Sequence, residues 1–169
     1  MRKKELFAQV LDFFERTMDA TETELDFRNN FELIVAVVLS AQCTDKRINQ
    51  VTPRLFQDFP TPEAMAQTTS EVIFDYIKSV SYPNNKAKHL VGLAQKLVAD
   101  FNGEVPSTLE ELTSLPGVGR KTANVVQAVW FGKPTLAVDT HVFRVSHRLG
   151  LVPTTANTPL KVELALLKH

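Results

Sequence analysis

The sequence predicts an all-α protein of about nine or ten short helices. In most segments, apolar residues recur at the three- and four-residue spacing of an amphipathic helix. No segment alternates apolar and polar residues over the length of a strand, and Leu136-Ala137-Val138 is too short to count as one. Proline, glycine and hydroxyl residues stand where helices are expected to begin and end. Together these observations favour a compact helical fold.

Three helices are predicted in the first part of the chain. Residues 3–18 carry an apolar stripe along one face. Residues 31–39 are apolar nearly all round, which predicts a helix surrounded by others. Residues 45–56 repeat the amphipathic pattern, with Pro53 as a potential interruption. An N-cap followed by proline at the first helical position occurs twice, at Thr61-Pro62 and Thr158-Pro159.

The helices of the second part are predicted mainly from their ends. Residues 84–101 carry one apolar face and end at Asn102-Gly103. The segment from Ser107 to Glu110 fits a capping box that opens a short helix. Helices that end at a C′ glycine are predicted at 120–131, before Gly132, and at 140–149, before Gly150.

The composition is that of a globular protein without a basic excess. Of the 169 residues, 44% are hydrophobic, and 19 basic residues balance 19 acidic ones. Zero net charge argues against a nucleic-acid binder unless the charges are segregated on one face. No secretory or membrane-spanning segment is found, which predicts a cytoplasmic, nucleoid-associated protein with no membrane partner. Cys43 is the only cysteine and the four histidines lack metal-ligand spacing, so neither a disulfide nor a metal site is expected within the chain.

A pair of glycines between a short and a long predicted helix is the most informative motif. Within 116–120, Gly117 and Gly119 flank Val118, directly ahead of the helix that begins at Arg120. Glycines let the backbone approach a ligand closely, and the unpaired N–H groups of a helix start favour an anion. The hairpin is therefore a candidate holder of one DNA phosphate, without sequence preference.

Two other interpretations of this segment are a plain glycine turn and a nucleotide-binding P-loop. The full pattern L-P-G-V-G-x-x-T-A is far more specific than a bare pair of glycines. A P-loop requires a glycine where Arg120 stands, and a strand before the loop. Neither is present in this sequence.

Four segments resemble one family of repair enzymes. They read LPGVGRKTANVV, VDTHVFRV, FELIVAVVLSAQCTD and NNKAKHL, and the resemblance extends from Leu25 to Leu149. The first two resemble the helix-hairpin-helix and Gly-Pro-Asp signature of the endonuclease III family of DNA glycosylases. Gly132, Pro134 and Asp139 stand where the family has the residues that name its motif.

The resemblance implies two helical domains with DNA between them. One is a six-helix domain, residues 22–132, with the hairpin at 116–120; the other joins residues 1–21 to 133–169. In the family, the second domain usually ends with four cysteines that bind a [4Fe–4S] cluster, and this chain lacks them. We therefore expect a second domain that is incomplete at its C-terminus and holds no cofactor. A cluster is expected only in a longer parent protein that carries those cysteines.

Lys121 and Asp139 are the candidate catalytic residues. Lys121 lies in the first turn after the hairpin, where the helix dipole disfavours its positive charge, as a nucleophilic amine requires. Asp139 begins the next predicted helix, so it is either a plain N-cap or also a carboxylate facing the site. The resemblance makes Lys121 the nucleophile and Asp139 its partner. The similar adenine-mismatch glycosylases usually lack this lysine.

The resemblance also implies which residues meet the DNA. Tyr82 and Gln42 stand where the family has residues that wedge or fill the base stack beside a flipped nucleotide. Tyr82 replaces the aliphatic residue common in this branch. The plain alternatives are a loop aromatic packed on the core for Tyr82 and a polar helix end for Gln42, while Asp45 either caps the next helix or lines the base pocket. The other candidate DNA-binding residues are Lys86, Gly117, Val118, Gly119, Arg120, Thr122, His141 and Arg144.

These inferences predict a base excision repair DNA glycosylase with abasic-site lyase activity. We expect a monomer that binds double-stranded DNA carrying a damaged base or an abasic site. It would remove oxidised pyrimidines, a substrate class that the resemblance alone implies, through a lysine Schiff base and β-elimination. The alternative is a non-catalytic helix-hairpin-helix DNA-binding module or an inactive fragment. The joint presence of Lys121 and Asp139 favours the enzyme, since binding alone needs neither.

Overall fold

The computed structural model describes residues 3–19 and 22–169. Within these residues the chain forms ten helices and no strand, so the predicted all-α fold is confirmed. The helices are α1 (Lys3–Thr17), α2 (Asn30–Ser40), α3 (Asp45–Asp58), α4 (Pro62–Ala66), α5 (Ser70–Ile77), α6 (Pro83–Phe101), α7 (Leu109–Thr113), α8 (Arg120–Val129), α9 (Thr140–Arg148) and α10 (Pro159–Leu166).

The chain divides into two compact units. The continuous unit, Thr23–Thr135, contains α2 to α8, and the discontinuous unit joins Met1–Glu22 to Leu136–His169. The resemblance implied six helices in the continuous part, and the structure has seven there, of which α4 and α7 have only five residues each. None of the helices that the structure describes is long and apolar enough to cross a membrane.

Helix α2 is the most deeply buried element of the continuous unit. Every residue from 31 to 39 is buried, and α3, α6 and α8 pack against it, so the predicted surrounded helix is confirmed. The Asn29 side chain caps its first turn by accepting the N–H of Glu32 at 2.9 Å. The buried Glu32 carboxylate accepts the backbone N–H of Arg28 at 2.7 Å and its guanidinium at 2.6 Å, which satisfies the only charge within this helix.

Most predicted helix ends agree with the structure, with one shift. Helix α3 runs through Pro53 without a break. Thr61 and Thr158 cap α4 and α10, each ahead of a proline at the first helical position. The capping box of α7, however, starts at Thr108 rather than Ser107. Both hydroxyl residues have a glutamate three positions on, and the structure uses Thr108, whose Oγ1 accepts the N–H of Glu111 at 3.2 Å.

The discontinuous unit has a small core of its own. Four buried apolar residues pack together there, namely Val138, Val152, Ala156 and Val162. In α1 only Phe7 is buried, and the rest of the predicted apolar stripe is largely exposed. The helical prediction for residues 3–18 is therefore confirmed for α1, but its apolar face is only partly covered.

Candidate active site

The hairpin before α8 is a type II turn with a buried anchor. The N–H of Val118 donates to the carbonyl of Leu115 at 3.1 Å, Pro116 occupies the second position, and Gly117 takes φ +77° at the third. A Cβ on Gly117 would also lie 2.8 Å from Cβ of His89, so glycine is required here by both conformation and space. The Val118 side chain is buried in the core of the unit. Backbone geometry and one apolar side chain thus fix the apex of the hairpin.

Neither the backbone conformation nor the packing of the protein requires a glycine at position 119. Gly119 is the N-cap of α8 with φ −89° and ψ 177°, a conformation open to any residue, and a Cβ there would meet nothing within 4 Å. As a glycine it offers no side-chain acceptor to the N–H groups of the first helical turn. Open space therefore surrounds the Cβ position of Gly119, beside the start of α8.

The first turn of α8 carries the opposite charge from most other helix starts in the chain. Helices α1 to α5 and α7 each have an acidic residue in the first turn, which complements the positive end of the helix dipole. Helix α8 instead begins with Arg120 and Lys121, both exposed. Two cations at the positive end of a helix favour a bound anion.

Lys121 is held on a helix that is anchored firmly behind it. Ala123 and Val126 of α8 are completely buried, while Lys121 itself is exposed and Thr122 half-buried. The far end of α8 is fixed by Gln127, whose Nε2 donates to the carbonyl of Ser107 at 3.0 Å. The helix therefore presents the lysine amine to solvent from a rigid base.

Asp139 lies in the discontinuous unit and caps α9. Its Oδ1 accepts the N–H of Val142 at 2.7 Å, which confirms the capping role that the sequence predicts. This bond uses one oxygen of a half-buried carboxylate. Farther along the same helix, His141 and Arg144 are both exposed and are three positions apart, so they share a face.

Gln42 occupies a strained turn at the end of α2. The N–H of Cys43 donates to the carbonyl of Ser40 at 3.0 Å, Ala41 has φ −56° and ψ 118°, and Gln42 has φ +54°. This is a type II turn with glutamine at the position that glycine or asparagine normally occupies. The Gln42 side chain is exposed.

Tyr82 occupies a second strained position, directly before α6. It has φ +53° and ψ 50°, is followed by Pro83, and its side chain makes no capping hydrogen bond. A residue before proline normally takes an extended conformation, so this backbone is unusual in two respects. The side chain is 64% exposed, so the alternative of a loop aromatic packed on the core is wrong.

The sequence predicts that Lys86 contacts DNA, and the structure shows that this prediction is wrong. Lys86 is buried, and its Nζ donates to the carbonyls of Leu39 at 2.8 Å and Ala41 at 2.7 Å and to Oγ of Ser81 at 3.0 Å. Burial lowers the pKa of this ammonium group. Because its three N–H bonds are all used inside the protein, Lys86 has none left to hold DNA.

The structure excludes one of the two roles that the sequence leaves open for Asp45. The cap of α3 is Thr44, whose hydroxyl accepts the N–H of Arg47 at 3.3 Å, and Asp45 is the first helical residue, half-buried. The capping alternative for Asp45 is therefore wrong.

The residues present do not fit an iron–sulfur cluster. The chain has one cysteine, and Cys43 lies half-buried in the turn after α2, whereas a [4Fe–4S] cluster needs four ligands of this kind. Nor do three or more His, Cys, Asp or Glu side chains come together as a metal site anywhere in the described part of the chain.

Comparisons with known proteins identify the family to which this helical fold, with its glycine hairpin and basic helix start, belongs. Residues 35–169 match the HhH-GPD superfamily of base excision DNA repair proteins. The chain is 45% identical to endonuclease III of Synechocystis over 167 residues, which cover 98% of this chain and 75% of that protein. It is 50% identical to endonuclease III of Bacillus subtilis over 147 residues, 87% of this chain and 67% of that one.

Comparison with solved structures leads to the same family as comparison with related sequences. The structure of a trapped covalent intermediate of endonuclease III with DNA aligns with a TM-score of 0.91 and 45% identity, over 99% of this chain and 78% of that one. A non-covalent endonuclease III–DNA complex aligns with a TM-score of 0.90. The chain therefore belongs to the HhH-GPD superfamily of base excision DNA repair proteins, as a member of the endonuclease III family. The predicted resemblance is confirmed.

Proposed function

We propose that this chain excises damaged bases from duplex DNA and nicks the abasic strand, with Lys121 as the nucleophile. As an endonuclease III relative, it is a base excision repair DNA glycosylase with abasic-site lyase activity. The observation that carries the role of Lys121 is its place, exposed in the first turn of α8 directly after the glycine hairpin. The related endonuclease III that was trapped as a covalent intermediate with DNA supports a nucleophile in the protein. These observations do not favour the non-catalytic alternative.

The proposed chemistry proceeds through a Schiff base. The neutral amine of Lys121 attacks C1′ of the flipped nucleotide, the C1′–N bond breaks, and the base leaves with the bonding electrons and takes up a proton. The lysine nitrogen then gives up a proton and O4′ takes one up as the C1′–O4′ bond opens, which leaves a protonated Schiff base and a free 4′ hydroxyl. Loss of a C2′ proton expels the 3′ phosphate, which nicks the strand, and water releases Lys121.

Asp139 is proposed as the carboxylate partner of this amine. Capping uses one oxygen and holds the carboxylate at the start of α9. There it accepts the proton of the Lys121 ammonium group or stabilises the cationic sugar as the base departs. Either role requires the charge and not the cap alone.

The hairpin and the two residues with strained backbones, Gln42 and Tyr82, are proposed to hold the DNA. One phosphate binds at the open start of α8, against Gly117 to Thr122, with Arg144 and His141 contacting other phosphates. Gln42 and Tyr82 enter the stack beside the flipped nucleotide, for which their exposed side chains are suited. Asp45 is assigned to the rim of the base pocket.

The substrate class proposed is oxidised pyrimidines, on the strength of the family. The protein is further proposed to act as a monomer in the cytoplasm, associated with the nucleoid. The continuous unit is proposed to correspond to the family's six-helix domain, residues 22–132, and the discontinuous unit to its second domain. In a longer parent protein, that second domain would carry the cysteines of a [4Fe–4S] cluster.

Borohydride trapping tests this proposal directly. The full chain is mixed with a duplex carrying one abasic site or one oxidised pyrimidine, and the mixture is reduced and separated by denaturing electrophoresis. We expect a covalent protein–DNA adduct with both duplexes and none with an undamaged control. Binding to the abasic duplex without any adduct would replace the enzyme by the non-catalytic DNA-binding module.

Replacing Gly119 with alanine is expected to weaken DNA binding more than it weakens the fold. The added methyl group meets no protein atom and enters the space proposed for the phosphate, which should raise Kd for an abasic duplex on the order of tenfold. The loss of a glycine cap costs the helix about 0.5–1 kcal/mol. Fluorescence anisotropy and thermal melting measure the two effects.

The matched control for this variant is Gly117→Ala, two residues earlier. There, alanine is forced to positive φ and against His89, so the melting temperature should fall clearly. An unchanged Kd for Gly119→Ala would mean that the open space at Gly119 is not a phosphate site.

A further inference from the structure

Lys86 lies where two loops of the continuous unit meet. The carbonyls of Leu39 and Ala41 belong to the C-terminal end of α2, and the hydroxyl of Ser81 belongs to the loop before α6. Ser81 Oγ also donates to the carbonyl of Ala41 at 3.2 Å, so the two loops are joined twice. A single ammonium group thus ties together segments about forty residues apart.

This arrangement also completes the end of α2. The last carbonyls of a helix lack intrahelical partners, and a basic residue in the last turn often compensates. Helix α2 has no basic residue in its last turn, and Lys86 supplies the cation from α6 instead. A desolvated lysine is a costly way to cap a helix, which indicates that its position serves more than the cap.

Lys86 contacts Ala41 and Ser81, and the residue that follows each of them has a strained backbone. Ala41 is followed by Gln42 at φ +54°, and Ser81 by Tyr82 at φ +53°, and both side chains are exposed. Outside glycine, a left-handed backbone costs about 1–2 kcal/mol per residue. Such strain persists only where surrounding contacts over-determine the conformation, and it concentrates at functional sites.

We propose that Lys86 is a positioning residue that sets the Gln42 turn and the Tyr82 turn in a fixed relation, so that both side chains are ready to enter the duplex. This inference rests on the proposed function, in which those two residues wedge the base stack. Lys86 does not touch DNA in this role. It acts through the backbone of Ala41 and the hydroxyl of Ser81, which adjoin the two wedges.

The test measures how fast the variant Lys86→Met forms the adduct with duplex and with single-stranded abasic DNA. Methionine keeps the length of the side chain and removes the three donors. The rate of adduct formation on duplex DNA should fall on the order of 10- to 100-fold, because misplaced positioning groups have effects of that size. On a single-stranded abasic oligonucleotide there is no stack to wedge, so the rate should stay close to that of the wild type.

A fluorescence measurement tests whether Gln42 and Tyr82 enter the duplex, and it does not depend on the reaction of Lys121. A duplex carries 2-aminopurine beside the abasic site, and its fluorescence rises when the neighbouring bases are unstacked. The wild-type protein should raise this fluorescence at saturation and Lys86→Met should not. Failure of the wild type to form any adduct would count against the proposed function, while this measurement would still decide the role of Lys86.

Two further variants separate positioning from stability. Leu97→Ala removes a fully buried side chain from the same helix, α6, so it lowers the stability but should leave the duplex-to-single-strand ratio unchanged. Ser81→Ala removes one of the three acceptors of Lys86 and the hydrogen bond from Ser81 to Ala41. It should shift the ratio in the same direction as Lys86→Met by a smaller factor, even if Lys86→Met does not fold. Equal losses on duplex and single strand, or an unchanged ratio in both variants, would overturn the proposal.

Discussion

The variant Lys121→Ala is expected to form no borohydride-trapped adduct and to nick neither abasic nor damaged duplex DNA. The amine is the group that bonds to C1′ in the proposed reaction, and no other residue is proposed to replace it. Nucleophile removal commonly lowers a rate by several orders of magnitude, on the order of 10⁴-fold or more. Binding to an abasic duplex should be largely retained, since the hairpin that is proposed to hold the phosphate stays intact.

A loss of folding cannot account for such a result. Lys121 is exposed and stands at the positive end of the α8 dipole, so its replacement by alanine removes an unfavourable charge. Alanine is also the best helix former. The melting temperature of Lys121→Ala should therefore equal or slightly exceed that of the wild type.

Two matched variants sharpen the test. Lys121→Arg keeps a positive charge at the same place but offers a guanidinium that stays protonated, so it should bind DNA and form no adduct. Lys96→Ala removes a half-buried lysine that is paired with Asp100 on α6, and its adduct yield should match the wild type. Undiminished adduct with Lys121→Ala would place the nucleophile elsewhere.

The second large effect is expected from Asp139→Asn. Asparagine caps a helix as well as aspartate does, so α9 should keep its start, with a stability loss of about 0.3–1 kcal/mol from the weaker dipole interaction. The negative charge is lost completely. Base excision should therefore slow on the order of 10²- to 10⁴-fold, the usual range for acid–base groups.

Single-turnover excision assays and thermal melting measure these two quantities in the same preparation. Asp139→Ser, which also caps without a charge, should reproduce the slow rate. In Asp139→Ala the cap is lost as well, so the melting temperature should fall further while the rate stays as low as in the asparagine variant. A near-normal rate with Asp139→Asn would reduce Asp139 to a helix cap.

Much of the fold follows from local signals in the sequence. The apolar run of 31–39 becomes the buried α2, and the threonine–proline pairs at 61–62 and 158–159 open α4 and α10. Helix α5 was missed, because its apolar residues Val72, Ile73, Phe74, Tyr76 and Ile77 run almost consecutively and show no helical period. Thr69, which accepts the N–H of Val72, and Glu71 in the first turn were the signals that could have shown it.

The site was less predictable wherever it depends on distant parts of the chain. The glycine hairpin is local, and its turn at Gly117 forms where the motif predicts it. The surroundings of Lys86 are not local, since its carbonyl acceptors lie 45 and 47 residues earlier. The left-handed backbones of Gln42 and Tyr82 could not be read from residue type, because neither residue favours that conformation.

The two left-handed turns also bear on how this protein could be engineered. Glycine at position 42 or 82 would adopt the same backbone without strain, so selection for heat resistance would tend to choose it. Such a protein would be sturdier and would have lost a side chain proposed to enter DNA. If the proposed contacts with DNA are made, the natural residues give up some thermal tolerance for them, and engineering for stability should leave both positions untouched.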